Sequence, residues 1–563
     1  MLSAKPIIGA FLWTLLPNLV SSMANNTVPP FANNTLPPSA STLIASGIKA
    51  LGGSQALLGI SGVTLGVPVL YRTQTLMEGY TLNGTETSIV TAGAQNVSFL
   101  YSSGNLQQRI DKLGQVAAWL DFGRESLDPL NYSLVVQAGS EGFACFAQGN
   151  NLIFDPASVT SGYTDGLLGQ YLIDQAMQMS PKLLSTFDPA AATSSYVTIP
   201  NSKPLLSVFD PVLNLSIIFD PDTHLPYIIR SFEDHLVFGP STSDLMVYNY
   251  TSIDGVMFPR RFKIVYNNVH LLADFLVESI DVNPSFPAGF FDGLPVTPNT
   301  PIPALEVSAE YGAAEIGEYS ANALYNGKYT GTLANLSATH PVAALENLWR
   351  LNFADAPSYS QMVLVFCDAV IVTDATPHQS HLVIQWVREQ LGRNITHIWV
   401  THHHHDHSYG VHDYISAGAK MIVLDKAEEY WSNVPGIEFE TYSDEKPYIH
   451  KDADLQVRFI DLEDPVHAED QSYAFVSAAC PKANDTVVTF QADYWNPNFT
   501  DYEFDQNQAL VFYNKLARDG VARSSLAIPA HGSPTPFQEL IDVVGFPYPN
   551  HDATSFHKGG PLC

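Results

Sequence analysis

Thr401-His402-His403-His404-His405-Asp406-His407 is the stretch on which the reading of this chain turns. At alternate positions it holds His402, His404 and Asp406, closed by His407, in the spacing H-x-H-x-D-H. It directly follows Ile395-Thr-His-Ile-Trp-Val400, an apolar run that predicts a buried strand. Imidazoles and a carboxylate gathered on a short turn at the end of a rigid strand are what a metal site requires. The competing reading is a surface His-rich tract that scavenges metal. An expression tag is disfavoured, because the run is internal and flanked by strand and helix signals. Further ligands from later in the chain decide between the first two.

Around the tract the pattern is α/β. Met362–Phe366 and Ala369–Thr373 predict strands, the second ending at Asp374. Ser380 is the expected N-cap of a helix running to Leu391, with Val383, Ile384, Val387 and Leu391 on one face and Gly392 as its stop. A further helix is expected after Gly410, and Met421–Leu424 predicts another strand. Three donors then stand at expected strand ends, the edge where α/β folds place chemistry. His467 lies between the strand Leu455–Ile460 and the run Tyr473–Val476, Asp493 follows Val487–Ala492, and His531 sits in Ala527-Ile-Pro-Ala-His-Gly-Ser-Pro534. Singly each reads as a turn residue; as a set they complete the tract.

Together these residues resemble the ordered signature of the metallo-β-lactamase superfamily: H-x-H-x-D-H, then His, then Asp, then His. The resemblance covers roughly Pro303 to Pro547, a little under half of the chain. It implies an αββα sandwich with a dinuclear metal site in the cleft between its sheets. By that match His402, His404 and His467 bind the first metal, Asp406, His407 and His531 bind the second, and Asp493 bridges them. Asp374 matches an acidic residue that supports the ligand loop. His403 and His405 fall at variable positions, and these two and His412 read as non-ligands, with a role in supporting the ligands left open. Ala492 departs from the glycine that many members place before the bridging aspartate, which puts the placement of the bridge in doubt.

The function implied is hydrolysis, with a hydroxide held by two metals attacking a carbonyl and Asp406 orienting or accepting the proton of the attacking water. Two Zn2+ per chain suit the nitrogen-rich donor set best, with iron or manganese as alternatives. The diiron oxygen-reducing members are disfavoured, because they carry an acidic residue where this chain has His404. The preferred substrate is an ester or lactone of a fairly apolar, uncharged small molecule. A thioester or β-lactam hydrolase, a mononuclear iron sulfur dioxygenase and a non-catalytic lipid-binding secreted protein are the alternatives. A glutathione thioester is disfavoured because Lys558 is the only lysine or arginine after His531. The short stretch beyond His531 leaves no room for the extra domain of alkyl sulfatases.

Upstream, Leu43–Leu58 predicts a helix interrupted by Gly52-Gly53, after which β signals dominate to about Thr300. Val63–Leu65, Ser88–Val90, Ser216–Phe219 and Tyr227–Arg230 are short apolar runs, and Asp220–Thr223 and Asp254-Gly255 are turns. Phe262, Ile264 and Tyr266 alternate with Arg261 and Lys263. His224, His235 and His270 are isolated and read as turn or surface residues. The expected fold is therefore α+β/αβ: a mostly antiparallel β region followed by the αββα sandwich. Ala50-Leu-Gly-Gly53 with Ile60 and Leu65, Phe219–Pro226 and Asp254–Pro259 resemble the bacterial outer-membrane lipoprotein-carrier half-barrel. That resemblance implies an open curved sheet under a helix lid and a part in binding an apolar substrate.

The formal net charge of −30 and pI near 4.7 argue against a nucleic-acid or anionic-membrane partner. Residues 1–22 read as a signal peptide, with Lys5 before the short apolar run Pro6–Leu16. A Pro/Asn/Thr linker is expected over 23–40, the β region over 41–300, the metal-binding region over 301–547 and a tail over 548–563. The linker between the two main regions is read from Pro284 to Pro303. Sequons at Asn25, Asn33, Asn83, Asn96, Asn131, Asn214, Asn249, Asn335, Asn394, Asn484 and Asn498 support a secreted glycoprotein. No transmembrane helix is expected. Cys145, Cys367, Cys480 and Cys563 lack C-x-x-C spacing and allow three complete pairings, among which spacing does not choose. Oligomeric state is likewise left open.

Overall fold

Alternation of side chains shapes the first part of the chain. In the strand Arg261–Tyr266, Phe262, Ile264 and Tyr266 are buried while Arg261, Lys263 and Val265 are half-buried. The computed structural model describes residues 36–73, 93–102, 105–114, 131–139, 142–149, 162–164, 166–235, 237–268, 270–294, 331–376, 378–498 and 506–563. The expected signal peptide, the strand at Ser88–Val90, most of the first linker and the part of the second linker after residue 294 lie outside these residues.

Helices Ala40–Ala50 and Ser54–Leu58 flank the predicted Gly52-Gly53 break. Among the described residues two antiparallel sheets of seven and eight strands follow. The chain passes from one sheet to the other at Pro68, between Gly62–Val67 and Val69–Thr73, and again between His270–Leu276 and Ser279–Val282. Helix Gly166–Met179 packs against both sheets, and its Gln178 amide donates to the carbonyls of Ile229 and Ser243 at 3.1 and 2.9 Å. The half-barrel resemblance implies one open sheet under a helix. Here the strands divide between two sheets joined by these crossings. They line a small apolar cavity of about 40 Å³, walled by Leu65, Met179, Ile217, Val247, Tyr250 and Phe262 among others.

Two further sheets make up the C-terminal part, each with its strands in chain order. The first has seven strands from Leu336–Thr339 to Phe439–Tyr442, of which Val370–Thr373, His397–Trp399, Lys420–Leu424 and Phe439–Tyr442 are parallel. The second has six, from Tyr448–Lys451 to Thr535–Pro536. Val457, Phe459, Val476 and Phe490 of the second share a core with Ile371, Ile398 and Ile422 of the first. Trp399 stacks on Phe459 across this interface, with ring centroids 4.3 Å apart. The opposite face, with Ile460, Tyr473, Phe475 and Ala527, is covered by Phe512 and Leu516 of helix Gln506–Asp519 and by Phe537 and Leu540 of helix Phe537–Val544. Helix Ser380–Leu391 buries Val383, Ile384 and Val387 in the core that includes the first sheet. Two sheets lined by helices outside them form the αββα arrangement.

Helix Ser380–Leu391 differs from expectation at its start. Gln379 is the cap residue and makes no side-chain cap bond, while the Ser380 hydroxyl donates to Asp413 instead. Gly392 does close the helix in a left-handed conformation, φ 62°. Among the described residues no helix is long and apolar enough to cross a membrane. The two parts of the chain touch at Phe238, in the turn after Pro226–His235, whose ring meets Tyr430 edge-on at 5.1 Å.

Candidate metal centre

Each donor stands where a strand stops. The strand His397–Trp399 feeds His402 to His404, and a short helix, His405–Ser408, carries Asp406 and His407. Gly410 lets the chain turn back closely: a Cβ there would sit 2.8 Å from the Ser380 hydroxyl and 3.1 Å from the Ala375 carbonyl. His467 lies between Leu455–Asp461 and Ser472–Ala478, Asp493 follows Val488–Gln491, and His531 follows Leu526–Pro529. Backbone bonds hold these ends together, from Ser472 N–H to the Thr401 carbonyl at 2.9 Å and from Ser360 N–H to the Ala530 carbonyl at 2.7 Å.

The structure brings all seven predicted donors together in two groups. His402, His404 and His467 offer ligand atoms within 4.8 Å of one another, and so do Asp406, His407, Asp493 and His531. Asp493 stands between the groups. One carboxylate oxygen lies 3.5 Å from Nε2 of both His402 and His467 and 2.8 Å from His407 Nε2. The other oxygen is 3.4 Å from His531 Nε2. The left-handed turn that lifts this side chain falls on Asp493 itself, φ 64°, so the site does not need a glycine at Ala492. His412 belongs to neither group, and its Nδ1 lies 3.5 Å from the Ser416 hydroxyl.

The two groups differ electrically. Burial, reinforced by neighbouring imidazoles, holds His402 and His404 well below the usual histidine range, and burial also lowers His467. That group is kept neutral, the form in which imidazole binds metal. Burial opposes charge on Asp406 and Asp493 as well, yet His407 and His531 outweigh it and hold both carboxyls below the usual range. Conversely, the acids overcome the effect of burial and raise His407 and His531. The second group is therefore a knot of opposite charges where a cation can replace protons.

Supporting contacts orient the donors. Asp374, in a left-handed conformation at φ 56°, accepts from Thr401 N–H at 2.7 Å and lies 3.0 Å from His407 Nδ1. Its support of the ligand loop is the role that the resemblance implies. Four neighbours were not foreseen. Buried His403 binds Asp470 through Nδ1 at 2.7 Å, and its ring meets Tyr430 at 5.0 Å. Gln508 lies 3.4 Å from His467 Nδ1, and Tyr359 packs edge-on to His531 at 4.8 Å. Asp470 had a local signal, three residues after His467. Tyr430, Gln508 and Tyr359 had none, because they arrive from separate elements.

The donors fit two divalent cations. His402 Nε2 is buried and makes no hydrogen bond, as an atom aimed at a metal would be. Three imidazoles on one side and two imidazoles with two carboxylates on the other suit zinc, iron or manganese.

Comparison with known proteins gives one family match, in which the profile of the metallo-beta-lactamase superfamily matches residues 356–475. No curated protein matches the chain. Among solved structures, similar ones include a B3 metallo-beta-lactamase with an active-site glutamic acid (17% identity, TM-score 0.28, covering 37% of this chain and 89% of that one). A metallo-beta-lactamase from Pontibacter korlensis is 13% identical with a TM-score of 0.29, covering 37% of this chain and 97% of that one. Another, from Erythrobacter litoralis, is 17% identical with a TM-score of 0.28, covering 38% and 96%. The family match supports a metal-dependent hydrolase in general. With the profile match falling on the strands that carry the tract, and His467, Asp493 and His531 closing the site from the second sheet, the C-terminal part of this chain is a metallo-β-lactamase superfamily domain.

Proposed function

We propose that this chain is a secreted hydrolase of an ester or lactone on a fairly apolar, uncharged small molecule, holding two zinc ions per chain. The observation that carries this reading is the carboxylate of Asp493, set between two complete donor groups. Metals held by these residues would lower the pKa of a bound water toward neutrality and polarise the scissile carbonyl. Asp406 stays ionised and lies 3.1 Å from His531 Nε2 and 3.2 Å from His407 Nε2. It is placed to orient the attacking water and to accept its proton. Asp374 fixes the ring of His407, so the donor keeps its direction during turnover.

The choice of substrate rests on charge and surface. Lys558 is engaged with Asp444 and Glu463 and so offers nothing to an anionic tripeptide thioester. The apolar lining of the N-terminal sheets, with Leu65, Ile217, Val247 and Phe262, is the feature that favours an apolar molecule. Exposed Asn96, Asn249, Asn394, Asn484 and Asn498 are the sequons best placed for glycans, in support of secretion. A panel of chromogenic ester, lactone, thioester and cephalosporin substrates on zinc-loaded protein tests the reading, together with elemental analysis. Two zinc per chain with chelator-sensitive ester or lactone turnover is expected. One iron per chain with oxygen uptake would overturn it in favour of a dioxygenase.

A further inference from the structure

We propose that Cys480 and Cys563 form a disulfide that staples the segment ending at Cys563 onto the second sheet of the metal-binding part. All four cysteines are thiols in this structure, and they differ in their surroundings. Cys145 is buried in the N-terminal part, and Cys367 is exposed beside Asp452, whose carboxylate accepts its N–H at 3.0 Å. Cys480 and Cys563 are both exposed, and their thiols are hydrogen-bonded to each other.

The backbone explains why they meet. Segment 556–562 is laid against the strand Leu455–Asp461 by side chains of that strand. The Arg458 guanidinium donates to the carbonyls of Lys558, Gly560 and Pro561 at 2.7, 2.7 and 2.8 Å. Lys451, on the adjoining strand, donates to the Leu562 carbonyl at 2.6 Å. Gln456 then ties the two partners directly, its amide nitrogen donating to the Ala479 carbonyl at 2.8 Å and the Leu562 carbonyl at 3.2 Å. Those are the residues immediately before Cys480 and Cys563. Phe556 stacks on Phe475 at 3.8 Å and anchors the near end of the segment. Two exposed thiols held at one spot by a buried amide are poised for bridging rather than brought together by chance motion.

The oxidation proceeds by exchange with a disulfide-bearing oxidant, such as a disulfide oxidoreductase or glutathione disulfide. The thiolate of one cysteine attacks the oxidant, breaks its S–S bond and releases one reduced thiolate. The second cysteine, deprotonated, attacks the mixed disulfide and releases the other. Two protons and two electrons leave the protein, and the oxidant is reduced by two electrons. The closed loop contains both Asp493 and His531, so the bridge confines the segment that carries two of the seven donors.

The test uses full-length protein secreted by a host with an oxidising export pathway and purified without reductant. Free thiols are alkylated before tryptic digestion. The peptide ending at Lys482 is expected to be disulfide-linked to the peptide that begins at Gly559, with Cys145 and Cys367 alkylated. Cys480 linked to Cys367, or alkylation of both Cys480 and Cys563, would overturn the proposal. In parallel, C480S, C563S and the double variant are melted with and without reductant. Equal falls in Tm for all three, matched by reductant on the parent, are expected. Additive falls that reductant does not reproduce would also overturn it. Neither readout depends on the substrate or on hydrolytic activity.

Discussion

His404 is the residue whose loss is easiest to interpret, because it belongs to one donor group alone. His404→Ala is expected to leave about one zinc per chain after dialysis and to cut turnover at least about 100-fold; full activity in this variant would remove the site from the chemistry. Gly532 tests the frame rather than the donors. Its φ is 105°, and a Cβ would lie 2.3 Å from the Pro497 carbonyl. Gly532→Ala is therefore expected to cost more than about 1 kcal/mol and to displace His531, seen as a lowered melt and weaker zinc retention together. At this scale the sequence was most legible where spacing is local. H-x-H-x-D-H announces itself within six residues, whereas the Asp470 carboxylate on His403 pairs residues separated by 67 positions. The repeated histidines also misdirect, since buried His403 bonds to Asp470 and joins neither donor group.

Among the elements, helix Gln506–Asp519 carries the most exacting burial. Lys515 is fully buried beside Glu463 and Asp519, which satisfy its ammonium, and Asp519 accepts from the Tyr473 hydroxyl. Lys515→Met removes the cation and leaves two acids facing each other across the helix. A loss of about 3–5 kcal/mol in denaturant melts is expected, far beyond that of an exposed lysine. The turn holding Phe238 makes a different demand, because it belongs to the N-terminal sheets yet packs on Tyr430, which packs on His403. Phe238→Ala is expected to cost about 3–5 kcal/mol and to loosen zinc at the His402 group, checked by zinc content after dialysis. Periodicity revealed the strands and helix Ser380–Leu391, but it put the N-cap one residue late. Serine at a helix start is usually the cap; here Asp413, thirty-three residues away, captures its hydroxyl.

For the molecule as a whole, acid should act through Glu463. Burial opposes its charge, but Lys515 and Lys558 outweigh this and push its pKa down to about 2, with Arg518 and Asp444 also facing it. A carboxyl depressed on folding stabilises above its unfolded pKa of about 4.5, and that contribution is lost as pH falls toward about 2. Glu463→Gln is expected to lower stability near neutrality and to flatten the fall of Tm below about pH 4.5. The effect at neutrality should be on the order of 1–2 kcal/mol, since the side chain is partly solvated. The division into an antiparallel β part and an α/β part was readable from the change of period along the sequence, while the boundary expected near Pro303 falls outside the described residues. What the chain did not disclose is that the β strands split into two sheets. Pairing partners such as Val63 and Val282 are chosen across more than two hundred residues, and nothing local encodes that choice.

Because the strands of each C-terminal sheet follow chain order, the first sheet can close at Tyr442 before Tyr448 begins the second. Four of the seven donors then already exist, but no three of them make a finished group, since His467, Asp493 and His531 all come with the second sheet. A chain that ends before His467 is therefore expected to bind zinc no better than an unfolded peptide, a difference that zinc titration of such a chain would read. Zinc bound at the finished site is expected to slow unfolding while leaving the early folding rate unchanged, because the site exists only once both sheets are in place.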